Sequence, residues 1–423
     1  MKLLLVGNHT CGNRGDAAIL RGLTESLHRV DEQVEIDIIS RFPVSSQLLL
    51  GREVKQDKLD KHIKRSVNGL IKKIKKRIST RLQPAILVAH HKRAGLLSKI
   101  SLPGVYLECI NEMKNYDAII QVGGSFFVDL YGSNQFEHAL CALLAERPIY
   151  MIGHSVGPFN RKGFNEIADY VFSQVNSLIL RENVSLEYMN KSNISTIKVQ
   201  EGIDTAWLVS ADYHLKQALS YNVEHWHEVI SKHQTVAITL RELAPFDKRL
   251  GVTQQEYEHA FARLVNSLTE KGYQVLALST CTGIDRYNKD DRMIALNIKQ
   301  LVENPEKFHV VMDELNDVEL GQIVSRCTMT IGTRLHSAII SMNFNTPAIA
   351  INYEHKSLGI MRKMGLDEMA VDIKELMNGS IIRKAENVLD NIESYEKRMT
   401  EILAIQSQAG DEINKTILDN IKG

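Results

Sequence analysis

No stretch of this 423-residue chain approaches the roughly 18 consecutive apolar residues that a membrane-spanning helix needs. The N-terminal run Lys2-Leu3-Leu4-Leu5-Val6-Gly7 turns polar at Asn8, too early for the apolar region of a secretory signal, so a cytoplasmic setting is expected. Cysteine is scarce and scattered. Cys11, Cys109, Cys141, Cys281 and Cys327 have no CxxC spacing, which argues against a zinc site or a disulfide framework and fits a reducing compartment. An excess of charge is also missing, with 51 basic against 51 acidic residues, and this speaks against nucleic acid as a partner. The GxGxxG phosphate turn is absent too. The first turn instead reads Gly7-Asn8-His9-Thr10-Cys11-Gly12-Asn13-Arg14-Gly15-Asp16, and the carboxylate at its helix start would repel a phosphate, so a dinucleotide cofactor has no support.

What the chain does have is alternation. Short apolar runs separated by helical-period segments predict parallel strands at Leu3–Gly7, Val34–Ile39, Ala118–Val122, Pro148–Ile152, Ser177–Leu180 and Ile197–Gln200. A second series follows a polar stretch near Ser210–His233: Val236–Leu240, Val275–Ser279, His309–Val311, Thr328–Ile331 and Ala348–Asn352. The chain is too long for one ordinary core. The predicted architecture is therefore α/β, two Rossmann-like domains facing across a cleft, over residues 1–210 and 234–375, with a helical C-terminal segment over 376–423. Ligands of such sheets sit beyond the carboxyl ends of the strands.

One region departs from the alternation. Between Arg52 and Lys99 basic residues outnumber acidic ones, and Ile63, Val67, Leu70, Ile71, Ile74, Ile78 and Leu82 recur at helical spacing. The opposite face carries Lys64, Arg65, Lys72, Lys73, Lys76 and Arg77. A solvated face is one reading; attachment to an anionic membrane surface is the sharper one, each basic residue near the headgroups contributing about 1 kcal/mol.

The richest motif is Gly332-Thr333-Arg334-Leu335-His336-Ser337, between a β-branched run and an apolar helix. A strand that ends in glycine and feeds a helix offers backbone N–H groups to an anion. Arg334 can fork onto a carboxylate or phosphate, and histidine, here at 336, is the side chain suited to proton transfer. Standing at i and i+2, the two can meet one ligand only from the loop or the first helical turn. Other polar groups sit at predicted strand ends: Gly123-Gly124-Ser125, His154-Ser155, Arg181-Glu182, Arg241-Glu242 and Asn352-Tyr353-Glu354-His355-Lys356. Arg181 is open to an ion pair with Glu182 or a neighbouring loop, and Asp16 to a role as helix cap or as base. Loops at one sheet edge form one surface, which makes their joint placement informative.

The order Gly12-Asn13-Arg14-Gly15-Asp16, Gly123-Gly124-Ser125, Ser155-Val156-Gly157-Pro158, Arg181-Glu182 and Gly332-Thr333-Arg334-Leu335-His336-Ser337 resembles the polysaccharide pyruvyl transferase family along nearly the whole chain. The nearest likeness is to the branch acting in colanic acid and amylovoran synthesis, through Gln121-Val122-Gly123-Gly124-Ser125-Phe126-Phe127 and Ile238-Thr239-Leu240-Arg241-Glu242-Leu243-Ala244-Pro245-Phe246. Where many relatives have glutamine before the Ser155 turn, this chain has His154.

The resemblance implies a fold like the type B glycosyltransferases, phosphoenolpyruvate as donor and a sugar diol as acceptor, expected on a lipid-linked oligosaccharide. On this reading Arg334, Arg241 and Arg181 are the donor's cationic ligands, helped by Gly123, Gly124, Ser125, His154, Ser155, Asn13, Ser337 and Lys356. His336 is the acid/base, and Asp16 or Glu354 accepts the hydroxyl proton. No metal or cofactor beyond the co-substrate is expected. The competing expectations are a nucleotide-sugar glycosyltransferase of the same fold and a non-catalytic carbohydrate-binding scaffold, separated by whether a donor is consumed and which one.

Overall fold

The computed structural model describes residues 1–64, 70–244, 247–285, 287–352 and 355–423; the side chains at 70–79, 355 and 356 also lie outside the description. Thirteen strands among the described residues fall into two wholly parallel sheets. In the first are β1 (Lys2–Asn8), β2 (Glu35–Ser40), β3 (Lys55–Gln56), β4 (Ala118–Phe127), β5 (Ile149–Val156), β6 (Ser177–Leu180) and β7 (Val199–Glu201). In the second are β8 (Thr235–Thr239), β9 (Gln274–Leu278), β10 (Phe308–Val310), β11 (Met329–Gly332), β12 (Ala348–Asn352) and β13 (Ala370–Asp372). Their orders, β3-β2-β1-β4-β5-β6-β7 and β10-β9-β8-β11-β12-β13, are both the Rossmann order, in which strand order reverses beside the first strand of each series. The chain thus has two Rossmann-like domains.

Central strands such as Val-Ala-Ile in β8 and Ala-Ile-Ala-Ile in β12 are buried on both faces by flanking helices, so they read as continuous apolar runs rather than alternating ones. Edge strands β3 and β13 were not anticipated. With two and three residues they have no period to read.

Strands β4 and β5 run past their expected ends at Val122 and Ile152, and this corrects the placement of several candidate residues. Gly123, Gly124 and Ser125 do not follow β4 but lie in it, and His154 and Ser155 lie in β5, with Gly124 paired to His154. Gly123 serves close strand approach, whereas Gly124 has a positive φ and a Cβ there would meet the Phe126 ring. A Cβ on Gly123 would stand 2.5 Å from the Gly153 carbonyl oxygen and 2.6 Å from that of Ile152.

The compact units are not contiguous in sequence. The first comprises Met1–Thr10, Leu23–Thr205 and Ala409–Gly423, and the second Cys11–Gly22 and Ala206–Gln408. The closing residues belong to the first unit through specific bonds. Ser26 Oγ donates to Asp411 (2.5 Å) and accepts from Asn414 Nδ2 (2.7 Å), Arg29 pairs with Asp411, and Lys422 pairs with Asp31 (2.9 Å). The predicted C-terminal helical segment forms helices over Ile381–Asp390 and Ile392–Lys422. The basic amphipathic region forms helices over Lys58–Lys64 and Leu70–Lys92. Arg65 and the side chains of Lys72, Lys73, Lys76 and Arg77 lie outside the described residues. Among the described residues, no helix is long and apolar enough to cross a membrane.

Candidate active site

In the second unit the strand order reverses between β8 and β11, which pair with Thr239 beside Gly332. Arg241 and Arg334 each stand two residues beyond that pair, so the topology brings two guanidinium groups to one sheet edge. Gly332 is demanded by the crossing. A Cβ there would meet Thr239 Oγ1 at 2.0 Å and Ser337 Oγ at 2.5 Å. Ser337 is spent on the turn rather than exposed to a ligand: its hydroxyl donates to the Arg334 carbonyl (2.6 Å) and bonds Thr239 Oγ1 (2.5 Å).

Arg334 is the extended N-cap of helix Leu335–Asn343, with no side chain capping the helix, and His336 lies in the first turn. That is the loop-to-helix placement from which both can face one ligand. The Arg334 side chain is only 14% exposed; Nη2 donates to Asp291 Oδ1 (2.8 Å), while Nε is buried and has no partner among the described residues. Burial works against its charge, but the Asp291 carboxylate, followed by Cys281 and Tyr287, holds the guanidinium pKa well above its ordinary value.

Asp291 was not foreseen. Its second oxygen accepts from the Cys281 amide (3.1 Å) and the Thr280 hydroxyl (3.4 Å), and its own N–H donates to the Cys281 carbonyl (2.8 Å). Cys281, buried against Tyr287, has its thiol pushed up to about 12 by that burial, so it is no nucleophile at neutral pH. The signal available in sequence was position: Thr280-Cys281-Thr282 follows β9 at the same carboxyl edge.

Tyr257 was also missed. It rides on helix Gln254–Glu270, which starts at a Thr253/Glu256 capping box. Its hydroxyl accepts from the Arg241 amide (3.2 Å) and shares a bond with Thr333 Oγ1 (2.7 Å), tying together the two strand ends that carry the arginines. The Arg241 side chain is itself buried, with Nε on the Glu242 carbonyl (3.1 Å).

Asn13 and Asp16 belong to this unit as well. Asn13 forms a bridge with Cys281, and Asp16 lies in the first turn of helix Arg14–Val30, close enough to Tyr287 to act on it electrostatically. Glu354 lies outside the described residues. So does the side chain of Lys356, whose backbone is in helix His355–Lys363.

The remaining candidates belong to the first unit. Arg181 pairs not with Glu182, which caps helix Asn183–Lys191, but with Asp204 (Nη1, 2.6 Å); Nε and Nη2 donate to Ser155 and Ser125, both at 2.8 Å. That arginine ties β4, β5 and the segment after β7 into one edge. His154 is fully buried beside Phe127; burial brings its pKa down to about 3, so the ring is neutral, and Nε2 donates to the Gln121 carbonyl (3.1 Å) while Nδ1 is without a partner among the described residues. Among the described residues, no group of three or more His, Cys, Asp or Glu side chains is placed to hold a metal ion.

Comparison with known proteins shows the family and the fold. The chain is 56% identical over 421 residues, covering 100% of both sequences, to amylovoran biosynthesis protein AmsJ of Erwinia amylovora. Two solved structures resemble it in fold at low identity. UDP-GlcNAc 2-epimerase from Neisseria meningitidis is 13% identical with a TM-score of 0.59, covering 99% of this chain and 100% of that one. Anabaena HepE in complex with UDP-glucose is 12% identical with a TM-score of 0.59, covering 100% and 99%. The family profile described as polysaccharide pyruvyl transferase matches residues 13–355, a span that takes in both sheet edges, and the chain belongs to that family of transferases.

Proposed function

We propose that the chain moves the pyruvyl group of phosphoenolpyruvate onto a sugar diol of an exopolysaccharide repeat unit, forming a pyruvate ketal and releasing phosphate. The observation that carries this reading is the buried Nε of Arg334, without a partner among the described residues, two residues from a histidine, at a helix start with no side-chain cap beside a strand-order reversal. Such a place suits a small anion whose chemistry needs a proton. Arg334 binds the donor's carboxylate or phosphate and Arg241 supports the same edge, each charge-assisted bond contributing about 1.5–3 kcal/mol.

His336 delivers a proton to the enol methylene, leaving a cationic carbon at C2. One sugar hydroxyl adds there and gives up its proton, and the C2–O bond to phosphate breaks. The second hydroxyl then adds to C2, loses its own proton and closes the ring. General acid–base help of this kind is worth about 10²–10⁴ in rate.

The acceptor class follows from the amylovoran relative, and its presentation on a lipid carrier fits the basic insertion. The test is transfer of label from phosphoenolpyruvate to lipid-linked oligosaccharides in anionic and in zwitterionic vesicles, with a nucleotide sugar as the rival donor. Transfer is expected from phosphoenolpyruvate, more rapidly on the anionic surface, and His336→Ala should fold and lose it. Label transfer at near wild-type rate in that variant removes His336 from the reaction, and use of the nucleotide sugar instead rejects the donor.

A further inference from the structure

The stretch Gly12-Asn13-Arg14-Gly15-Asp16 reads in sequence as a turn that wraps a ligand, yet its arginine faces inward. Arg14 is completely buried. Its Nε donates to the Leu315 carbonyl (2.6 Å), Nη1 to the Gly12 carbonyl (2.6 Å) and Nη2 to Thr282 Oγ1 (3.1 Å), and it forms an ion pair with Glu314. The Arg14 amide donates to the Thr280 carbonyl (2.9 Å), and Asn13 bridges to Cys281. Asn13 Oδ1 also accepts from the Gly15 amide (3.1 Å). The four residues from Gly12 to Gly15 are thereby fastened to the wall that carries Asp291.

Gly15 is the residue this fastening presents. A Cβ built on it would stand 2.8 Å from both Cβ and Cγ of His336 and 2.9 Å from Nδ1. Its φ lies outside the left-handed region and it sits inside helix Arg14–Val30, where glycine is unfavourable. The position therefore calls for glycine because of the missing side chain, not because of backbone conformation. The bare Cα of Gly15 faces the His336 side chain.

The geometry points to a positioning role for this segment: Arg14 locks residues 12–16 in place, and Gly15 is the shelf that sets the His336 ring for proton transfer. The inference rests on His336 being the proton carrier. It gives the N-terminal motif a function in the second unit, separate from donor binding by Arg334. Arg14 and Gly15 are positioning residues; neither is asked to touch the reacting atoms.

The test is Gly15→Ala in the full chain, beside Gly163→Ala as a control. Gly163 is the second residue of helix Lys162–Gln174, and among the described residues nothing beyond its own helix backbone and chain neighbours lies within 4 Å of a Cβ built there, so the control should behave as wild type. Displacing a reacting group by about 1 Å can lower a rate by about a hundredfold. Gly15→Ala is therefore expected to lower kcat about ten- to a hundredfold while the Kd for phosphoenolpyruvate stays within about twofold. Long-range proton–nitrogen spectra of the imidazoles, with His336 assigned through His336→Gln, should show its signals shifted in Gly15→Ala and unshifted in Gly163→Ala.

A kcat within about twofold of wild type, or unmoved His336 signals, overturns the inference. If wild type does not consume phosphoenolpyruvate but the signals move, the proposed reaction fails and the positioning role stands. Should Gly15→Ala not fold, Asn13→Ala, which frees the Gly15 amide, is read in the same way. It is expected to give a smaller loss of kcat and a smaller shift of the His336 signals, and no loss together with unmoved signals overturns the inference.

Discussion

Replacing Asp291 by asparagine probes the arrangement at its most consequential point. The carboxylate takes three hydrogen bonds, from Arg334 Nη2 on one oxygen and from the Cys281 amide and Thr280 hydroxyl on the other. An amide keeps only one acceptor oxygen and turns an NH2 toward the other donors. Either the guanidinium or the backbone amide loses its partner, and the buried charge of Arg334 loses its counterion. Removing one partner of a buried ion pair typically costs about 3–5 kcal/mol. For a unit of around 200 residues each kcal/mol moves Tm by about 2–4 °C, so a fall of about 6–20 °C is expected. A bound anion should supply the missing negative charge, so saturating phosphoenolpyruvate should raise Tm of Asp291→Asn by more than it raises that of wild type. Calorimetric unfolding of the full chain with and without the donor reads both effects. A Tm within about 2 °C of wild type, or a ligand-induced rise smaller than in wild type, would refute the assignment of Arg334 to anion binding under Asp291 control.

Two further perturbations bear on the two units separately. Tyr257→Phe strips the hydroxyl that joins the Arg241 amide to Thr333; it should destabilise by about 1–3 kcal/mol through the unsatisfied amide and raise KM for the donor more than it lowers kcat, and an unchanged KM would show that the two strand ends hold their arginines without it. In the first unit, burial pushes the Glu137 carboxyl up to about 7, against hydrogen bonds from Asn134 and Tyr106, while His138, despite its burial, is raised by its ion pair with Asp57. Both groups hold their protons more tightly when folded. The Glu137 contribution, about 3 kcal/mol, is present below pH 4.5 and lost as pH rises through 7, and that of His138 is present below 6.5 and lost above its raised pKa. Stability should therefore fall from pH 5 to 8, and Glu137→Gln should flatten the part of the slope below 7 in urea unfolding; an unaltered slope rules that carboxyl out.

Much of this was legible in the residues, for identifiable reasons. The β-branched runs mark the central strands because both their faces are buried, and the Arg334/His336 pair is visible because a strand end, a glycine and a helix start adjoin in sequence. Gly123-Gly124 misled because a glycine pair signals a turn locally, whereas here Gly123 lets β4 and β5 approach and Gly124 adopts a positive φ within the strand. The pairings of Asp291 with Arg334, Tyr257 with Thr333 and Arg14 with Glu314 could not be read, since these partners lie 43, 76 and 300 positions apart. Charge-pairing and clamping at such separations arise only once the sheet has gathered its loops at one edge.

The way the units interleave along the chain has a consequence for inheritance and for engineering. The first is assembled from three stretches and the second from two. A single crossover between relatives would leave each product with an alien closing helix against Ser26 and Asp31, or an alien 11–22 segment under His336. Functional hybrids should therefore need the ends exchanged together with the body they serve, which favours descent of the whole gene as one block.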